Sequence, residues 1–316
     1  MRIAILDDYQ GVALSSADWA SLGAEEVVPF HGHIPDTPDL VAELRPFDVV
    51  VAMRERTPFT AERLRLLPDL RLLVTTGMRN ASIDVAAAAA AGVTVCGTGG
   101  SAAATPELTW ALILSLVRHV PEEDRRMREG GWQRTIGFGL HGRTLGIIGL
   151  GNIGRRVAEI GRVFGMEVLA WSQNLPGTAA DEAGAVAVSK DELFAESDVI
   201  TVHYKLSDRS VGLVGARELG LMKPTAFLVN TSRGPIVDTD ALLAALRSGA
   251  IAGAGLDVYD EEPLPGGHPL RSAPRTVLTP HLGYVTDDGY RKFYGDAVED
   301  IAAFTAGRPV RVISPG

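Results

Sequence analysis

One cysteine, four lysines and no long apolar run mark what the 316-residue sequence has little of. A lone Cys96 cannot close an internal disulfide or supply a cysteine-rich metal cage, and it suits a reducing cytoplasm. The longest apolar runs, Val85 to Ala91 and Leu108 to Val117, fall far short of the roughly 18 to 20 residues that cross a bilayer, so no membrane partner is expected. At the N-terminus Met1 to Leu6 meets Asp7 and Asp8 too early for a signal-peptide hydrophobic region, and the stretch reads as a first strand. None of Lys190, Lys205, Lys223 and Lys292 follows a glycine, so the phosphate loop GxxxxGK[ST] is absent, which excludes kinases and ATPases of that type. Net charge is −9 and no basic run exceeds Arg125-Arg126, which excludes a nucleic-acid footprint. His31 and His33 have no cysteine nearby, and no metal site is expected.

What is present is alternation. Short Val- and Ile-rich runs alternate with Ala- and Leu-rich amphipathic stretches, the pattern of parallel sheets covered by helices, so the class is α/β. Strands are expected at Ile3–Leu6, Val27–Phe30, Val49–Ala52, Leu70–Thr75 and Val93–Cys96, which make one small open sheet. A helix capped by Thr105, with Pro106 in its first turn, runs to about His119 and reads as a bridge to a second domain. Six further strands, Thr144–Ile148, Glu167–Trp171, Val199–His203, Ala226–Asn230, Ile251–Asp257 and Thr276–Thr279, suggest a Rossmann sheet. The helical stretch Asp287–Thr305 then returns to the first domain. The expected division is 1–98 and 285–316 for a flavodoxin-like open-sheet domain, with a Rossmann domain, 99–284, inserted into it.

With 35 glycines in the chain a single GxGxxG match is weak, and context decides among three candidates. Gly137 to Gly142 leads into a strand, and Gly97 to Ala102 is separated from its helix. Gly149-Leu-Gly151-Asn152-Ile153-Gly154 alone follows a strand and opens a helix. There Gly149 permits the tight turn, Gly151 lets the backbone approach a pyrophosphate, and Gly154 lets helix and strand pack closely, with the helix N-terminus facing the phosphates. The acidic residue expected about 20 positions on, for a ribose 2′-hydroxyl, is missing. Ser172 stands there in Trp171-Ser-Gln-Asn174. An aspartate would repel a 2′-phosphate, and no arginine is present to attract one, so NAD and NADP both remain open.

Three polar segments close successive Rossmann strands: Asn230-Thr-Ser-Arg233-Gly234, Gly255 to Pro263 with Asp257 and Glu262, and Thr279-Pro-His281-Leu-Gly283. Open α/β sheets place ligands at such strand ends. One arginine, carboxylates and one histidine make a kit for reducing a 2-oxo acid. A guanidinium binds the carboxylate and polarises the carbonyl, and an acid protonates the new alkoxide.

Across essentially its whole length the sequence resembles the D-isomer-specific 2-hydroxyacid dehydrogenases, which include 3-phosphoglycerate dehydrogenase and glyoxylate/hydroxypyruvate reductases. The motifs that carry this are Thr144 to Gly154, Leu221 to Asp238, and the Asp257, Glu262-Pro263 and Pro280-His281 signatures. The resemblance implies that Arg233 holds the substrate carboxylate and carbonyl, and that His281, paired with Glu262, is the general acid/base. A carboxylate beside an imidazole fixes its tautomer and favours its protonated form. Asp257 matches the residue that anchors the nicotinamide carboxamide, and the cofactor set becomes Gly149, Gly151, Asn152, Ile153, Gly154, Ser172, Thr231, Asp257 and Thr105. Thr76-Gly77-Met78-Arg79 matches the segment whose backbone N–H groups receive the substrate carboxylate. Arg54 matches a position that can meet the substrate's far end, though a solvated Arg54-Glu55-Arg56 cluster explains it equally well.

The resemblance also implies a homodimer formed through Leu108 to Val117 and the arm to Trp132. Lys205 stands where a proline is usual, and Arg79 to Ser82 departs from the common substrate loop. The expected activity interconverts a small 2-oxo acid and its D-2-hydroxy acid, of the glyoxylate, hydroxypyruvate or phosphohydroxypyruvate class, with NAD or NADP. The alternative is an NAD(H)-sensing, corepressor-like binding protein on the same scaffold. A hydrolase using Ser232 lacks a GxSxG elbow.

Overall fold

The computed structural model describes residues 1–315. It divides into two compact units, Met1–Ser101 with the chain from Val285 onward, and Ala102–Tyr284.

In the first unit β1 (Arg2–Ile5), β2 (Glu26–Pro29), β3 (Val49–Ala52), β4 (Leu72–Thr75) and β5 (Thr94–Gly97) form a parallel sheet in the order β2-β1-β3-β4-β5, the flavodoxin-like arrangement. Buried on both faces, its strands β3 and β4 are apolar throughout but for Thr75. The helix Asp287–Thr305 packs against β4 with Phe293, Tyr294 and Ile301 buried. Beyond it Arg311 returns to the helix, its Nε 3.0 Å from Oδ1 of Asp300, and Val312 bridges to Cys96 on β5.

The second unit holds β6 (Thr144–Ile148), β7 (Glu167–Trp171), β8 (Val186–Ala187), β9 (Val199–Val202), β10 (Phe227–Asn230), β11 (Gly253–Leu256) and β12 (Thr276–Leu278). All are parallel, in the order β12-β11-β10-β9-β6-β7-β8, which is the Rossmann order with one more strand than the six expected. The additional β8 has two exposed residues, so it carries none of the buried alternation that marks a strand in sequence. Successive side chains feed two cores on opposite faces. Leu145, Ile147, Val199, Phe227 and Val229 join one, and Ile148, Ile200, Val202 and Leu228 the other.

The connecting helix runs Ala104–Val117 and packs on β10 and β11 within the second unit. Its N-cap residue is Ala103, not Thr105. Pro121 opens a separate helix, Val120–Arg128, which has no buried residue. Among the described residues no helix is long and apolar enough to cross a membrane.

Candidate active site

The order of the strands reverses at β6, the switch point beyond whose strand ends open α/β sheets bind their ligands. Gly149 takes φ 95°, and a Cβ there would lie 2.5 Å from the His203 carbonyl oxygen. A Cβ on Gly154 would run into the carbonyl oxygen of Gly149, so the helix Asn152–Val163 can approach the turn only with glycine there. Around Gly151 the space is open, and sterics within the chain do not account for its lack of a side chain. The N–H groups of Asn152, Ile153 and Gly154 start that helix and have no acceptor four residues back. An open cradle lined by such donors fits a pyrophosphate. On its β7 side Ser172 Oγ accepts a long hydrogen bond, 3.4 Å, from Leu150 N–H.

At the end of β10, Asn230 is buried and clamps the loop that follows. Its Oδ1 accepts from Ser232 N–H at 3.0 Å, and its Nδ2 donates to the Arg233 carbonyl at 2.9 Å. Arg233 Nη1 donates to the Ser232 carbonyl at 2.8 Å. Thr231 lies inward, 2.9 Å from the hydroxyl of Thr109, which donates to the Thr105 carbonyl. The Thr105 hydroxyl donates to the Gly283 carbonyl at 2.8 Å. It therefore ties the helix to the segment carrying His281, in place of the capping role expected from sequence.

The closest approach among the candidates joins β11 and β12. His281 Nδ1 lies 2.5 Å from Glu262 Oε2, while Glu262 Oε1 accepts from Tyr259 N–H at 2.9 Å. The carboxylate is thereby fixed at both oxygens, and the imidazole is oriented with Nε2 as its remaining nitrogen. Asp257, fully buried, holds the same segment: Oδ1 accepts from Thr279 Oγ1 at 2.7 Å and Leu282 N–H at 2.6 Å, and Oδ2 from Gly283 N–H at 2.9 Å. Burial raises its carboxyl above the usual range, against the pull of the Thr279 hydroxyl, the backbone donors and the His281 charge. These contacts hold His281 at φ 56°, a conformation that few residues other than glycine adopt.

In the first unit Arg54 lies against the candidate substrate loop. Its N–H donates to Thr76 Oγ1 at 2.9 Å and its Nη1 to the Thr76 carbonyl at 3.3 Å. The guanidinium fills the space that a Cβ on Gly77 would need. The Gly77 N–H already donates to Thr98 Oγ1 at 2.9 Å, and the Thr76 N–H to the Ala52 carbonyl at 3.0 Å. The Met78 N–H has no partner among the described residues. Its side chain is 48% exposed.

A sequence model described as the D-isomer specific 2-hydroxyacid dehydrogenase, NAD binding domain, matches residues 110–283. The glyoxylate reductase of Aeropyrum pernix is 43% identical over 251 residues, 76% of this chain and 75% of the relative. The chain belongs to the D-isomer specific 2-hydroxyacid dehydrogenases. A D-3-phosphoglycerate dehydrogenase of Synechocystis is 35% identical over 86% of this chain, which spans 49% of that longer protein. Among solved structures, a phosphoglycerate oxidoreductase of Vibrio cholerae superposes with a TM-score of 0.92 at 39% identity, covering 97% of this chain and 99% of its own.

This is therefore an oxidoreductase that uses NAD or NADP, and the glycine cradle fits such a cofactor. Asn230, Thr109, Tyr259 and Gly234 contact or adjoin the candidate residues, and none of them was singled out as a candidate from sequence. The first and last stand inside the quoted Asn230 to Gly234 motif, whereas Thr109 and Tyr259 carry no signal before the chain is folded. His203 was missed as well. It follows β9 beside Gly149, and both its ring nitrogens are enclosed and lack partners. Burial pushes its imidazole down to about 3.

Proposed function

We propose that this dehydrogenase interconverts a small 2-oxo acid and its D-2-hydroxy acid, of the glyoxylate, hydroxypyruvate or phosphohydroxypyruvate class. The observation that carries the reading is the His281–Glu262 pair, held at 2.5 Å beside the cofactor unit's strand ends. The turn Gly149 to Gly154 would hold a nicotinamide dinucleotide, which would supply or accept the hydride. Arg233 binds the substrate carboxylate and polarises the carbonyl, its loop being fixed by Asn230. With Nδ1–H donated to Glu262, the protonated His281 gives its Nε2 proton to the substrate oxygen and recovers it in the reverse direction. Glu262 stabilises the imidazolium, and Asp257 positions the segment while offering its remaining acceptor capacity on Oδ2 to the cofactor.

The substrate class rests on the names of the relatives, glyoxylate reductase and D-3-phosphoglycerate dehydrogenase, and on Arg54. Held against Gly77, Arg54 offers a fixed cation to an anionic group. A homodimer belongs to the same reading, supported by the arm beyond the helix Val120–Arg128, where Trp132 and Ile136 are 70% and 94% exposed. A cytoplasmic setting suits the single reduced Cys96.

Initial rates with NADH and NADPH against glyoxylate, hydroxypyruvate, phosphohydroxypyruvate and a bulkier oxo acid test the proposal. One of the three small acids is expected to give the highest kcat/KM. Cofactor binding with no turnover of any oxo acid would favour the sensor instead.

A further inference from the structure

We propose that the adenosine end of the dinucleotide site is built for a ribose 2′-phosphate, with Lys205 as the cation and Ser172 as the hydroxyl that recognise it, so that NADP is the preferred cofactor. The inference rests on the glycine turn as the pyrophosphate cradle.

Two chain segments flank that turn. From the β9 side the backbone at His203 and Tyr204 presses on it: a Cβ on Gly149 would lie 2.5 Å from the His203 carbonyl oxygen and 3.0 Å from Tyr204 N. From the β7 side Trp171 and Ser172 hold it, through Gly149 N–H to the Trp171 carbonyl at 2.8 Å and Leu150 N–H to Ser172 Oγ at 3.4 Å. The Trp171 and Tyr204 rings stack, with centroids 5.9 Å apart and planes at 16°, which joins the two flanks. Ser172 and Lys205 are the residues that directly follow the stacked pair, so both leave the same aromatic platform.

The two flanking segments carry no negative charge. Neither Trp171-Ser-Gln-Asn-Leu-Pro176 nor His203-Tyr-Lys-Leu-Ser207 contains a carboxylate to bind a free 2′-hydroxyl or to repel a 2′-phosphate. Lys190, 5.9 Å from the Trp171 ring, is paired with Glu218 at 2.8 Å. Lys205 is exposed and has no acidic partner among the described residues. The nearest acid in sequence, Asp208, is followed by Arg209. An unpaired ammonium on a flexible stem suits a phosphate dianion. Ser172 Oγ accepts from Leu150, which leaves its hydrogen to donate outward.

The test needs no turnover. Calorimetric titration of the full chain compares adenosine 2′,5′-bisphosphate with 5′-AMP, and NADPH with NADH. The 2′-phosphorylated member of each pair is expected to bind at least about tenfold more tightly, a margin that raised salt reduces. Lys205→Ala, an exposed change, should remove that margin and leave 5′-AMP and NADH affinity unaltered, and Ser172→Asp should reverse it. Equal or tighter binding of the unphosphorylated members by the wild type would overturn the proposal, as would an equal loss for both in Lys205→Ala. Failure of all four nucleotides to bind would instead remove the cradle reading on which it rests.

Discussion

Gly234 lies so close to the peptide that links Tyr259 to Asp260 that a Cβ on it would fall on the Tyr259 carbonyl carbon. The loop carrying Arg233 is thereby pressed against the segment whose Glu262 holds His281. Gly234→Ala is expected to displace Arg233 without touching it, raising KM for the oxo acid and lowering kcat. Overpacking of this kind costs about 1–3 kcal/mol of stability. Steady-state kinetics with a thermal melt checks both effects, and native kinetics in this variant would mean that the loop contact does not position Arg233.

Glu262→Gln keeps a hydrogen-bond acceptor for His281 Nδ1–H but loses the charge that stabilises the imidazolium. Its kcat should fall by about 10- to 100-fold, while loss of the proton donor itself in His281→Ala should cost about 10²- to 10⁴-fold. Dinucleotide titration should show cofactor affinity unaltered in both variants.

Acid stability should reflect His203. Its imidazole titrates at about 3 in the folded chain, against an ordinary value near 6.5, because burial excludes the charged form. Between these values the unfolded chain binds the proton and the folded chain does not, so His203 makes stability fall as pH drops from about 6.5 toward 3, by up to about 1.4 kcal/mol per unit. Denaturant midpoints measured at several pH values should therefore decline less steeply in His203→Leu than in the wild type. Equal slopes would show that the ring does not titrate as its burial requires.

The exposed arm gives a separate test. Sedimentation velocity is expected to show a dimer for the wild type and a monomer for a Trp132→Ser, Ile136→Asp double variant, since those two side chains are the apolar surface a second copy would cover. A wild-type monomer would refute the dimer.

Periodicity located most of the scaffold. Val49–Ala52, Thr144–Ile148, Glu167–Trp171 and the helix Asp287–Thr305 have the ends read from sequence, because buried strands and capped helices leave strong local patterns. Asp287–Thr305 shows why: Thr286 accepts from Gly289 N–H in a side-chain cap. Thr105 had the same residue type before Pro106, yet its hydroxyl is drawn to Gly283, 178 positions away, and no local pattern encodes that. The hydrogen bond from the Gly77 amide to Thr98, on a neighbouring strand end, is likewise set by the fold and not by the local sequence. His281 and Glu262 could be paired in advance through the family motifs, but the three-donor grip of Asp257 on the same segment required the folded chain.

The central claim is that His281, oriented by Glu262, exchanges a proton with the oxygen of a 2-oxo acid. The most direct measurement follows oxidation of the reduced nicotinamide cofactor with hydroxypyruvate by the wild type and by His281→Ala, with chiral analysis of the product. The account predicts D-glycerate from the wild type and a loss of about 10²-fold or more in the variant at unaltered cofactor affinity. Undiminished turnover in His281→Ala, or an L-configured product, would contradict it.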